Sequence, residues 1–121
     1  MPKTVLVADD DEDVRLVVGL PLEAQHIRVI EAEGGAEVLA SVARERPDLI
    51  IMDWTMPGMS GADLLRTLRR DVPGVPVIVL SGQTNEADVA LGRSLGAIAY
   101  LIKPVPMKTL MDIVTTTLTA P

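Results

Sequence analysis

The chain has 121 residues, of which 48% are hydrophobic and 23% are charged, and this balance suits one globular domain over 1–121. The formal net charge of −6 argues against direct nucleic-acid binding, and the absence of cysteine excludes disulfides and thiolate metal sites. No apolar segment approaches the length of a membrane span, and residues 1–4 lack the apolar segment of a signal peptide. We therefore expect a cytoplasmic protein that does not contact a membrane.

Strand and helix patterns alternate five times along the chain. Short apolar runs rich in β-branched residues predict strands at 4–8, 28–32, 49–53, 77–80 and 99–102. Helical periodicity predicts helices at 14–24, 36–46, 62–70, 85–95 and 106–118. Pro21 lies inside the first helical pattern and should kink that helix or end it early. The alternation, with connections of a few residues, predicts an α/β sandwich around a central parallel sheet.

Residues that can handle a phosphoryl group follow four of the five predicted strands. They are Asp9 and Asp10, Asp53, Ser81 and Lys103. Because the carboxyl ends of parallel strands lie at one edge of a sheet, these side chains can converge in one crevice. Three carboxylates within about 4 Å of one another would repel by roughly 4 kcal/mol per pair at an effective dielectric constant of about 20. A hard divalent cation such as Mg²⁺ would relieve that repulsion, so the pattern predicts a magnesium site.

The same residues indicate a nucleophile and its helpers. An aspartate can form an acyl phosphate, and Asp53 is the better candidate because it stands alone at a central strand end. Asp9 and Asp10 form an adjacent pair that is better suited to holding a metal. Lys103 can pair with a carboxylate at rest and with a phosphoryl oxygen later, and Ser81 can donate a hydrogen bond to that oxygen.

Several segments together resemble the receiver domain of two-component response regulators, the CheY-like family. They are the acidic segment 5–11, the stretch 47–61 around Asp53, the entry to the second helix at 32–39, and the segment 96–104 that contains Lys103-Pro104. The likeness covers essentially the whole chain. It implies a (βα)5 doubly wound fold with a five-stranded parallel sheet in the flavodoxin-like order 2-1-3-4-5, and a cis bond before Pro104.

The resemblance also implies a function and a set of ligands. Asp53 would take a phosphoryl group from a histidine kinase or a histidine phosphotransfer protein. Mg²⁺ or Mn²⁺ would be bound by Asp10, Asp53 and the backbone carbonyl of Thr55, with Asp9 helping mostly through water. The protein would catalyse only its own phosphorylation and dephosphorylation, and would act on a downstream output domain or protein.

A switch and a tuning pair are implied in the same way. On phosphorylation Ser81 would close on the phosphoryl oxygens and Tyr100 would turn inward, changing the face made by the fourth helix, the last strand and the last helix. A Tyr100 that is fully buried before phosphorylation would count against this switch. Thr55 and Gln83 would tune the dephosphorylation rate, and homodimerisation on phosphorylation is left open.

Two other functions stay open from the sequence. A pseudo-receiver would bind partners without phosphorylation, and its Trp54 fluorescence would not respond to millimolar Mg²⁺. A haloacid-dehalogenase-type phosphatase shares the aspartate, lysine, serine and Mg²⁺ chemistry and would turn over free phosphomonoesters. Such enzymes place the nucleophile on the first strand in an Asp-x-Asp pattern, and here the expected Gly-Thr/Val does not follow Asp9-Asp10-Asp11.

Overall fold

The computed structural model describes residues 2–82 and 85–120, which form alternating strands and helices. In chain order these elements are β1 (Thr4–Ala8), α1 (Glu12–Ala24), β2 (Arg28–Ala32), α2 (Gly35–Arg44), β3 (Leu49–Asp53), α3 (Gly61–Asp71), β4 (Val77–Ser81), α4 (Glu86–Ser94), β5 (Ala99–Ile102) and α5 (Met107–Thr119). The strands pair in parallel in the order β2-β1-β3-β4-β5. This confirms the (βα)5 doubly wound fold, and the predicted boundaries differ from the observed ones by two residues or fewer.

The sheet is covered on both faces, so its three inner strands are apolar throughout. Every residue of β1, β3 and β4 is buried. On one face, Leu6 and Ile50 join a core that contains residues of α2 and α3. On the other, Val7 and Ile51 pack with residues of α1 and α5. Continuous apolar strands are typical of such a sheet, and their parallel pairing brings their carboxyl ends to one edge.

Helix α1 continues through Pro21 to Ala24, so it does not end early, and the alternative of a kink at Pro21 stays a prediction. Proline removes one backbone N–H, and the helical partner of that N–H would be the carbonyl of Val17, an exposed residue whose carbonyl can turn to water. Val18 and Leu22 lie on either side of the proline and are 2% and 0% exposed. Burial of these two side chains holds the last turn in place.

A helix that crosses a membrane must be both long and predominantly apolar. Within residues 2–82 and 85–120, no helix has both the length and the apolar character needed to cross a bilayer.

Candidate functional site

The polar residues that end β1, β3, β4 and β5 meet at one edge of the sheet. Lys103 Nζ lies 2.9 Å from Asp9 Oδ2 and 3.4 Å from Asp53 Oδ2. Asp53 pairs with Leu80 in the β3–β4 register, so Ser81 follows directly beside it. The backbone N–H of Lys103 donates to the carbonyl of Ser81 at 2.8 Å, and the Lys103–Pro104 bond is cis as expected. The four strand tips therefore form one site.

Three carboxylates form the acidic part of this site. Oxygen atoms of Asp9, Asp10 and Asp53 all lie within 4.8 Å of one another, so this cluster could hold a metal ion. Asp9 and Asp53 are 3% and 7% exposed, whereas Asp10 is exposed. A donor set made only of carboxylate oxygens fits a hard cation such as Mg²⁺. The structure thus brings these three carboxylates together, and their individual roles as metal ligands stay a prediction.

The loop after β3 folds tightly against Asp53. The backbone N–H of Thr55 donates to Asp53 Oδ1 at 3.1 Å, and Thr55 forms an isolated antiparallel bridge with Ser60. A Cβ atom at Gly61 would clash with the backbone carbonyl of Trp54, so the loop needs glycine there. Thr55 itself is exposed, and its carbonyl as a metal ligand stays a prediction.

Burial and charge shift the two central titratable groups. Desolvation by burial raises the pKa of Asp53, and the negative charge of Asp9 raises it further. The hydrogen bond from the Thr55 N–H and the positive charge of Lys103 lower this pKa, but the net shift is upward. Burial lowers the pKa of Lys103, but the hydrogen bond to Asp9 and the charges of Asp53 and Asp9 outweigh it, so the pKa is raised. The lysine therefore stays charged, while ionised Asp53 is held in an unfavourable environment that an added cation would relieve.

The raised pKa of Asp53 predicts that Asp53→Asn stabilises the metal-free protein at neutral pH. Below the ordinary pKa of 3.8 Asp53 is protonated in both the folded and the unfolded state, so its contribution to stability is fully present and does not change with pH. As pH rises from 3.8 through the raised folded pKa, the native state holds its proton longer, so the wild-type stability contributed by this group falls. The advantage of Asp53→Asn should therefore appear in that window and then level off, as measured by urea unfolding in EDTA at a series of pH values. A variant less stable than wild type at neutral pH would contradict this.

Tyr100 lies inside the fold. It is 4% exposed, and its ring meets that of Trp54 edge-on with centroids 5.6 Å apart. The Tyr100 hydroxyl has no hydrogen-bond partner among the residues that the structure describes. The ring packs against α4, where a Cβ at Gly92 would lie 2.8 Å from Tyr100 Cδ2. The role of Ser81 and Tyr100 as a switch pair stays a prediction.

Sequence reasoning also missed one residue of this region and named another that lies outside the described chain. Arg15 is buried beneath the acidic turn and donates to the backbone carbonyl of Asp9 at 2.7 Å. Helical spacing puts Arg15 on the same buried face of α1 as Val18 and Leu22. A charged residue on that apolar face is the sequence signal that could have identified it. Gln83 lies outside the described residues, so its tuning role, like that of Thr55, stays a prediction.

Comparisons with known proteins agree with this geometry. The family model described as "Response regulator receiver domain" matches residues 5–115. The DNA-binding response regulator MtrA of Mycolicibacterium paratuberculosis is 36% identical over 111 residues, which cover 92% of this chain and 49% of that protein. The phosphate regulon transcriptional regulatory protein PhoB of Pseudomonas aeruginosa is 36% identical over 104 residues, covering 84% of this chain and 45% of that protein. This chain therefore spans about half the length of these curated relatives.

Solved structures give the same result. A CheY-like response regulator receiver domain protein from Methanospirillum hungatei JF-1 superimposes with a TM-score of 0.93 at 28% identity, covering 98% of this chain and 94% of that chain. The chemotaxis response regulator CheY4 of Vibrio cholerae gives a TM-score of 0.89 at 28% identity, covering 97% and 99%. With the family match, the fold and the acidic site in agreement, this chain belongs to the response regulator receiver domain family of two-component signalling.

Proposed function

We propose that the 121 residues act as one phosphoacceptor receiver domain in which Asp53 is phosphorylated. The observation that carries this proposal is the placement of Asp53 in an acidic cluster with Lys103 Nζ 3.4 Å from its carboxylate. A carboxylate oxygen of Asp53 attacks the phosphorus of a phosphohistidine. The P–O bond forms as the P–N bond breaks, and the imidazole of the donor leaves.

Each neighbouring residue has a part in that transfer. Asp10, Asp53 and the carbonyl of Thr55 would bind Mg²⁺ or Mn²⁺, with Asp9 helping through water, and the metal would offset negative charge at the phosphoryl group. Lys103 keeps its positive charge and pairs with the phosphoryl oxygens after transfer. Ser81, 0% exposed at the end of β4, would donate its hydroxyl to one of them. The protein has no other substrate and acts as a switch.

Ser81 and Tyr100 would form the switch pair. Tyr100 is buried beside Trp54 and Gly92, and its hydroxyl has no hydrogen-bond partner among the described residues. We infer that, once Asp53 is phosphorylated, Ser81 closes on the phosphoryl oxygens and Tyr100 is held in its inward position. The face made by α4, β5 and α5 would change with it.

The partners follow from the family and from the names of its relatives. The phosphoryl donor would be a histidine kinase or histidine phosphotransfer protein in the cytoplasm. MtrA is a DNA-binding response regulator and PhoB a transcriptional regulatory protein, so the receiver would control an output domain or protein of that kind. This domain itself, with a net charge of −6, would not contact nucleic acid, and homodimerisation on phosphorylation stays open.

The decisive experiment is phosphorylation by acetyl phosphate in the presence of Mg²⁺. We expect wild type to gain one phosphoryl group by intact-mass spectrometry, and Asp53→Asn to gain none, because the amide is not a nucleophile for phosphorus. Asp48→Asn is the matched control, since Asp48 precedes the same strand at its other end and accepts the N–H of Thr4 at 2.7 Å. Phosphorylation that persists in Asp53→Asn, or that is lost in Asp48→Asn, would contradict the assignment.

A further inference from the structure

Arg15 is a buried cation next to the acidic turn that follows β1. It is 7% exposed although it carries a full charge. Its Nη1 donates to the backbone carbonyl of Asp9 at 2.7 Å, and its Nε donates to Glu31 Oε1 at 2.9 Å. Its Nη2 lies 3.7 Å from Glu33 Oε1. One planar guanidinium thus joins α1, the tip of β1 and the segment at the end of β2, which suits arginine better than lysine.

Every polar group of Asp9, in its backbone and its side chain, has a hydrogen-bond partner. Its N–H donates to the carbonyl of Ala32 at 3.0 Å, its Oδ1 accepts the N–H of Asp11 at 2.9 Å, and its Oδ2 accepts Lys103. The carbonyl is the fourth group, and Arg15 holds it. That carbonyl belongs to the peptide unit between Asp9 and Asp10, so its orientation helps to set the direction in which both carboxylates leave the chain.

The charge of Arg15 argues against a direct role in attracting a metal. A bare cation beside the acidic cluster would repel Mg²⁺ and so weaken its binding. In this structure Glu31 and Glu33 pair with Arg15 on the side away from the Asp9 carbonyl, and these carboxylates offset its charge. What remains is a directed, charge-assisted hydrogen bond to the backbone of the turn.

We propose that Arg15 is a positioning residue for the metal site: it fixes the Asp9 carbonyl and thereby aims the carboxylates of Asp9 and Asp10. It contacts neither the metal nor the phosphoryl group. This inference rests on the proposed function, because it assumes that the acidic cluster binds Mg²⁺. Groups that orient metal ligands typically affect metal affinity by about 10–100-fold when they are removed.

The test is the Mg²⁺ affinity of Arg15→Met, measured by titrating the fluorescence of Trp54 without any phosphodonor. Methionine keeps much of the buried stem but has no donor for the carbonyl. We expect Mg²⁺ to bind about tenfold more weakly than to wild type. Simple electrostatics predicts the opposite sign, since the variant loses a cation near the metal. Unchanged or tighter binding would therefore overturn the positioning role.

Two control variants separate this effect from charge and from stability. Arg28→Met makes the same charge change at the other end of β2, where Arg28 pairs with Glu45. Leu22→Val weakens the core under the same helix, since Leu22 is 0% exposed and lies near the opposite end of α1 from the acidic turn. Both should bind Mg²⁺ as wild type does. Weakened binding in Leu22→Val would overturn the proposal, because general loss of stability would then explain the effect.

A second variant keeps the proposal testable if Arg15→Met does not fold. Arg15→Lys keeps the charge but loses the planar fork that serves the carbonyl and Glu31 together, so its Mg²⁺ affinity should also fall. Wild-type affinity in Arg15→Lys would overturn the role of the fork. A wild-type protein that gives no Mg²⁺ response would overturn the proposed function along with this inference, whereas wild-type binding with an unchanged Arg15→Met would overturn this inference alone.

Discussion

Lys103→Met is expected to bind Mg²⁺ more tightly than wild type and yet to lose phosphorylation by about 100-fold or more. Lys103 Nζ lies 2.9 Å from Asp9 and 3.4 Å from Asp53, so its ammonium competes with a metal for the same carboxylates. Removing the Lys103 ammonium leaves the three carboxylates without that neighbouring positive charge, so they should bind Mg²⁺ more tightly. The transferred phosphoryl group, however, loses the positive charge that would stabilise it during transfer.

Two measurements on the same sample separate these effects. Trp54 fluorescence gives the Mg²⁺ affinity, and the rate of phosphorylation by acetyl phosphate is then measured at saturating Mg²⁺, so that weak metal binding cannot explain a loss. Lys108→Met is the matched control, because Lys108 pairs with Asp112 on the exposed surface of α5. A Lys103→Met protein that is phosphorylated at the rate of Lys108→Met would show that Lys103 has no part in the chemistry.

The sequence was sufficient for the features that depend on burial and strand direction. Continuous apolar runs such as 49–53 predict strands covered on both faces, and every residue of β3 is indeed buried. Once the strands are parallel, their carboxyl ends must share one edge, which brings Asp9, Asp53 and Lys103 together without any knowledge of side-chain positions. Fold and site could therefore be predicted together, because both follow from the same alternation of strands and helices.

The remaining features depend on contacts that no local pattern contains. Tyr100 can lie inward because Gly92 leaves space for its ring beside α4. Arg15 can be buried because carboxylates from elsewhere in the chain, such as Glu31 on β2, pair with it. Pro21 has the local chemistry of a helix breaker, but the packing of α1 against the sheet outweighs one lost hydrogen bond. In each case tertiary packing decides between local outcomes that the sequence leaves open.

Two identical substitutions in two helices are expected to change stability in opposite directions. Gly92→Ala should gain about 1 kcal/mol in helix propensity within α4. Its new Cβ would lie 2.8 Å from Tyr100 Cδ2 and 3.1 Å from Cε2, so the ring must leave its place. Loss of a buried aromatic side chain costs roughly 1.5–3 kcal/mol, so we expect a net loss of about 1 kcal/mol. Gly19→Ala, in α1, meets no atom closer than 3.7 Å and should gain up to about 1 kcal/mol.

Urea unfolding gives the two signs, and near-UV circular dichroism reports the aromatic contact directly. Because the chain has one tryptophan and one tyrosine, that signal comes from Trp54 and Tyr100 alone. It should change in Gly92→Ala, where the edge-on contact at 5.6 Å is broken, and stay as in wild type in Gly19→Ala. If Tyr100 couples the site to α4, the near-UV change that accompanies phosphorylation should also be lost in Gly92→Ala. Equal stabilisation of both variants with an unchanged spectrum would mean that Tyr100 is not held against α4.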